Sequence, residues 1–155
     1  MRVVTRRLSG PTFQLKQCPS VLKLPRATPA EISLAMKQIV IYDEDYLTRT
    51  LLQEWLGEAG YGVHPCTLRD PRCKQTPDLV IVSVYMPKHA GAQCIGDIKR
   101  AHPGTPLIAM SGQFRSGLSA GGAAAQSLGV QQVIAKPLVH RDLLEAVQGI
   151  IGMPK

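Results

Sequence analysis

Four short apolar runs limit what this chain can fold into: QIVIY (38–42), DLVIVS (78–83), PLIAM (106–110) and QQVIA (131–135). Each is five or six residues long, rich in branched side chains and closed by polar or turn-forming residues. Such runs are too short for buried helices and have the composition of strands covered on both faces. A helical period fills the stretches between them. Residues 45–58 carry Leu47, Leu51, Trp55 and Leu56, with Ala59 just beyond, on one predicted face. A second helix is predicted over about 91–101, and a last one has Val139, Leu143, Leu144, Val147, Ile150 and Ile151 on one side. A weaker strand at 62–65 contains Pro65, which cannot donate to a sheet ladder, so an edge position is expected. Alternation of strand and helix predicts a parallel sheet with helices on both faces.

Length and charge narrow the organisation further. At 155 residues, with 45% hydrophobic side chains, the chain suffices for one domain with a real core and an appendage. No apolar run approaches the roughly 20 residues of a membrane-spanning helix, and no membrane partner is expected. The net charge of +7 is uneven: residues 1–37 hold seven Lys or Arg against Glu31 alone, leaving eleven basic and ten acidic residues for 38–155. The excess belongs to the first 36 residues, which hold Pro11, Pro19, Pro25 and Pro29 and no sustained period. They read as a basic, disordered extension ahead of a domain at 37–152. Three readings of that extension stay open: an arm for an acidic partner, an Arg-rich targeting segment, or sequence upstream of a start at Met36.

Ligands of open parallel sheets collect beyond the carboxyl ends of the strands. Those ends carry Asp43 and Glu44 after the first strand, Ser83 on the third, Ser111 after the fourth and Lys136 after the fifth. Two acids, two hydroxyls and one base therefore converge on one edge of the sheet.

These residues, with Met86-Pro87 and Gly91 following, Ser111-Gly112, and Lys136-Pro137 within 129–138, resemble the receiver domain of two-component response regulators over about residues 37–152. The resemblance implies a flavodoxin-like, doubly wound (βα)5 fold with strand order 2-1-3-4-5. It implies a signalling role in phosphorelay transduction, not an enzyme; the cysteine usage and the lack of a signal-peptide apolar core point to the cytoplasm. In that family the acid pair, here Asp43 and Glu44, holds Mg²⁺ together with the backbone carbonyl at the position of Tyr85, and Ser111 and Lys136 match the residues that contact the phosphoryl group. The third strand normally ends in the acceptor aspartate. Ser83 stands there instead, and Val133 stands where an aromatic side chain normally reports activation.

Those two substitutions turn the expectation toward a pseudo-receiver, acting by protein contacts and independent of phosphorylation. A serine hydroxyl is a poor nucleophile without an activating base, and its phosphoester is stable where an acyl phosphate is labile. With one carboxylate gone, Mg²⁺ is expected to bind weakly or not at all, so no cofactor is assigned. Lys136, deprived of its resting partner, is expected to pair with Asp43 or Glu44. The resemblance implies a partner surface formed by the family's fourth helix (here within 116–129), fifth strand and fifth helix. A histidine kinase or downstream signalling protein is the expected partner, with homodimerisation also open. Two rival readings are a phosphoacceptor using Ser83 or a neighbouring acid with Mg²⁺, and a nucleic-acid binder acting through the basic extension.

The remaining chemistry-bearing residues take plainer readings. Asp45 opens a helix and is expected to cap it. His64, His89, His102 and His140 lack the spacing of a metal helix and are expected at the surface. Cys18, Cys66, Cys73 and Cys94 show no Cys-x-x-Cys pair and are expected as reduced thiols, with a redox pair of Cys66 and Cys73 as the rival reading. The Gly- and Ala-rich stretch 116–129 lacks the Lys-Ser/Thr ending of a phosphate loop and reads as a helix weakened by its glycines.

Overall fold

A computed structural model describes residues 36–67, 69, 76–85, 90–114 and 122–154. The basic extension, Met86-Pro87, His89, Cys73 and the first part of the Gly-rich stretch lie outside the described residues. The strands are β1 (Gln38–Tyr42), β2 (Gly62–Cys66), β3 (Leu79–Ser83), β4 (Leu107–Ser111) and β5 (Gln132–Ala135). The helices are α1 (Tyr46–Glu58), α2 (Ala90–Ala101), α3 (Ala123–Leu128) and α4 (His140–Ile151). All neighbouring strands pair in parallel, in the order β2-β1-β3-β4-β5. β2, with Pro65 in it, is the edge strand that the proline requires.

The period of two divides each strand between two cores. Ile39, Ile41, Leu79, Ile81, Ile108, Met110 and Ile134 meet Leu52 and Leu56 of α1 and Leu143, Ala146 and Val147 of α4. Val40, Tyr42, Val80, Val82, Leu107, Ala109 and Val133 meet Ile95 and Ile98 of α2 and Ala125 and Leu128 of α3. Burial on both faces explains why these strands read as continuous apolar runs. Across the first face, Trp55 meets the His140 ring edge-on at 5.0 Å, joining α1 to α4.

Local chemistry sets the helix ends. Asp45 caps α1: its carboxylate accepts the Thr48 backbone N–H at 3.0 Å, the role its sequence position suggested. Beyond Glu58 the chain turns at Gly60, whose φ of 95° favours glycine, and the Tyr61 N–H returns to the Leu56 carbonyl.

Four details differ from the sequence reading. On α1 the expected Leu56 is buried, Leu51, Trp55 and Ala59 are half-buried and Leu52 joins them, while Leu47 in the first turn is 74% exposed. Val139 caps α4 from outside and is exposed, not on its apolar face. His102 is buried, since the turn after α2 folds it inward to the Tyr42 hydroxyl at 2.8 Å. Cys66, at the end of the edge strand, is disulfide-bonded rather than a thiol, whereas Cys94 is free.

Candidate functional site at the carboxyl edge of the sheet

Parallel pairing brings the ends of β1, β3, β4 and β5 to one edge. Ser83 pairs with Met110 and Ser111 with Ala135, so the residues that follow these strands face one another. Asp43 leaves β1 almost wholly buried. Its Oδ1 accepts the Asp45 backbone N–H at 2.8 Å, and its backbone carbonyl accepts the Arg49 guanidinium at 3.0 Å. A buried carboxylate needs such partners, because its lost hydration is otherwise uncompensated.

The remaining partner comes from across the sheet. Lys136 Nζ donates to Asp43 Oδ2 at 3.2 Å and to Ser83 Oγ at 2.7 Å. The same residue's backbone N–H donates to the Ser111 carbonyl at 3.0 Å, which fixes where its side chain begins. One ammonium thus ties the ends of β1, β3 and β5 together. Its side chain is 27% exposed against 2% for Asp43, so the pair lies at the floor of the edge, partly screened.

The other residues expected at this site separate into two groups. Ser111 is buried, but its hydroxyl accepts the Gln113 backbone N–H at 3.2 Å, within its own turn. Val133 is 3% exposed and belongs to the core packed under α2 and α3. Glu44 and Tyr85, by contrast, are exposed at the mouth. Arg49 joins the site without a sequence signal, because a basic residue six positions after Asp43 carries none in one sequence.

Two cavities open here and share Ser83, Val84 and Tyr85. One, of about 300 Å³, is lined by Asp43, Glu44, Ala90, Gly91 and Cys94 as well; the other, of about 290 Å³, continues to Ser111, Gly112, Gln113 and Lys136. Burial, with Asp97 and Glu44 adding to it, pushes the Cys94 thiol above its ordinary range, so it is a weak nucleophile.

Mg²⁺ suits carboxylate-rich oxygen sites. Here both Asp43 oxygens are engaged, and residue 83 offers a neutral hydroxyl. Among the described residues, no group of three or more His, Cys, Asp or Glu is placed to hold a metal ion. The donor set fits Mg²⁺ poorly. No described helix is long and apolar enough to cross a membrane.

Comparison with known proteins agrees with this architecture. The family model of the response regulator receiver domain matches residues 39–148. The DNA-binding transcriptional regulator NtrC of Rhizobium meliloti (strain 1021) is 32% identical over 120 residues, covering 74% of this chain and 23% of that protein. Its counterpart in Bradyrhizobium sp. (strain RP501 Parasponia) is 29% identical over 123 residues, covering 76% and 25%. The chain therefore spans about a quarter of the length of these curated relatives. Among solved structures, the chemotaxis protein CheY4 of Vibrio cholerae superposes with a TM-score of 0.61 at 20% identity, covering 75% of this chain and 99% of that one. A putative pilus assembly-related protein from Burkholderia pseudomallei K96243 gives 0.60 at 22% identity, covering 76% and 90%. These two likenesses speak for the fold, and the family match for the class. The chain belongs to the response regulator receiver domain family of two-component signalling.

Proposed function

We propose that this receiver domain signals through protein contacts without taking a phosphoryl group, as a pseudo-receiver. The observation that carries the reading is the Lys136 ammonium, bonded at once to the Ser83 hydroxyl and the Asp43 carboxylate. Ser83 ends β3, where the family's acceptor aspartate stands. A lysine that donates to a hydroxyl and is itself held by a carboxylate cannot serve as the base that would activate that hydroxyl. The same contact ties up an oxygen that a metal would need, so Mg²⁺ binds weakly and no cofactor is required. Val133, packed in the core, supplies no ring to rotate between two positions. These features favour one fixed state of the pocket over a switch.

Receiver domains work with kinases or other signalling proteins, and for this one the proposed contact face is α3, β5 and α4. A histidine kinase or a downstream protein in the cytoplasm is the proposed partner, and catalysis is not part of the role. The competing reading, phosphorylation of Ser83 or a neighbouring acid, draws on its place at the junction of both cavities.

Titration calorimetry with Mg²⁺ at neutral pH tests the proposal. Wild type is expected to show no saturable heat at low millimolar Mg²⁺, and Ser83→Asp to bind more tightly, because the added carboxylate supplies the missing ligand charge. Saturable submillimolar binding by wild type would contradict it.

A further inference from the structure

We infer that the cavity bounded by Glu44, Tyr85, Ala90, Gly91 and Cys94 seats a basic side chain of a partner polypeptide. The inference rests on the proposed function, in which Lys136 and Asp43 form a resident pair and signalling proceeds by contact.

Charge comes first. Asp43 is neutralised by Lys136, whereas no cation among the described residues is paired with Glu44. Glu44 lines the cavity, and after burial and Asp97 its charge adds to what pushes the Cys94 thiol up. Among the described residues, then, the Glu44 carboxylate is left without an ion-pair partner at the mouth, while the Arg49 guanidinium is engaged on the Asp43 carbonyl.

The donor set then selects the kind of cation. A hard metal ion wants several oxygens, and a single free carboxylate beside engaged neighbours does not supply them. An ammonium or guanidinium on an aliphatic stem has other needs: one carboxylate for the head and apolar wall for the stem. Ala90, Gly91, Val84 and Cys94 provide that wall, and the Tyr85 ring stands at the mouth, where it can also face a cation. A volume of about 300 Å³ is at the low end for ligand pockets and ample for one long side chain.

The surroundings favour a polypeptide over a free amine. Of the five large apolar side chains that are exposed among the described residues, Tyr46, Leu47, Tyr85 and Val139 all follow strand carboxyl ends on this edge. Only Met153 lies elsewhere, past the end of α4. Asp45, its carboxyl held below its usual range by the Thr48 hydroxyl and backbone N–H, stays ionised beside Tyr46. An exposed apolar and acidic strand edge, with Glu44 and Tyr85 of it lining the cavity, complements a segment with one basic residue among apolar ones.

The test uses the full chain and two seven-residue capped peptides of Leu and Ala, identical except for a central arginine or its neutral isostere citrulline. Amide shifts are followed by NMR. The arginine peptide is expected to move Glu44, Gly91 and Cys94 saturably and to bind about tenfold more tightly than the citrulline peptide, the step a charge-assisted hydrogen bond of about 1.4 kcal/mol gives. Glu44→Gln should erase that preference, and Ala90→Trp, which fills the mouth from an exposed position, should abolish binding at unchanged melting temperature. Equal binding of both peptides, or shifts confined to α3, β5 and α4, would overturn the inference. A phosphate adduct on the same protein would instead overturn the functional reading; a silent titration without an adduct would overturn this inference alone.

Discussion

Lys136 stands 2.7 Å from the hydroxyl of Ser83 while it pairs with Asp43 at 3.2 Å. One flexible cation therefore joins three strand ends. Its two partners differ in what they lose without it: Ser83 keeps a neutral hydroxyl, whereas Asp43 keeps a buried charge.

That asymmetry predicts unequal costs. Lys136→Met leaves Asp43 charged and unpaired, and is expected to lower stability by about 2 kcal/mol, less than a fully buried pair because Lys136 is partly exposed. Asp43→Asn, which leaves Lys136 within reach of water and of Ser83, should cost about 1 kcal/mol. Urea denaturation of both variants checks this, and equal costs would show that the pair is screened too well to matter.

The packing of α1 gives a second prediction. Leu52 is fully buried and Leu47, five residues earlier and on a different side of the helix, is 74% exposed. Leu52→Ala should cost about 3 kcal/mol through lost burial and the cavity left behind, and Leu47→Ala about 0.5 kcal/mol or less. Thermal and urea melts distinguish the two directly.

A pH dependence follows from His102. Burial lowers its pKa, so the native state resists a proton that the unfolded chain accepts. Below the unfolded value of about 6.5 the unfolded state binds more protons, and stability falls as pH drops toward the lower native value. Melting temperatures measured from pH 7.5 to 5.5 should decline for wild type and decline less for His102→Gln. An identical slope in both would place the titration elsewhere.

Val133 offers a fourth test. It fills its space in the core, so Val133→Tyr, which supplies the aromatic ring usual in the family, should destabilise by about 2 kcal/mol through overpacking. A neutral or stabilising effect, read from urea melts, would reveal room for a switch that the wild-type packing does not show.

Much of this was legible in the sequence because the period of two and the period of 3.6 report burial directly. The four apolar runs became β1, β3, β4 and β5, and Pro65 marked the edge. The convergence of Asp43, Ser83 and Lys136 followed from parallel topology, and the need of Lys136 for an acid followed from its lost partner. What one sequence does not carry is rotation and reach. That Leu52 is buried and Leu47 exposed is not written in their shared apolar character, and the choice of Asp43 over Glu44 depends on a side-chain direction set by the Asp45 amide. His102 lies far from Tyr42 in sequence, and only the turn after α2 brings the two together. The hydroxyl of Ser111, which lines the second cavity, also accepts the Gln113 N–H of its own turn.

The central claim is that the pocket is held by its own ion pair and takes no phosphoryl group. Intact-mass measurement of the wild-type chain after incubation with a small phosphoryl donor and Mg²⁺ tests it most directly. The account predicts an unchanged mass for wild type, with Ser83→Asp as the variant in which an adduct can form. A stoichiometric phosphate adduct on the wild-type protein, at Ser83 or at Asp43, would contradict it.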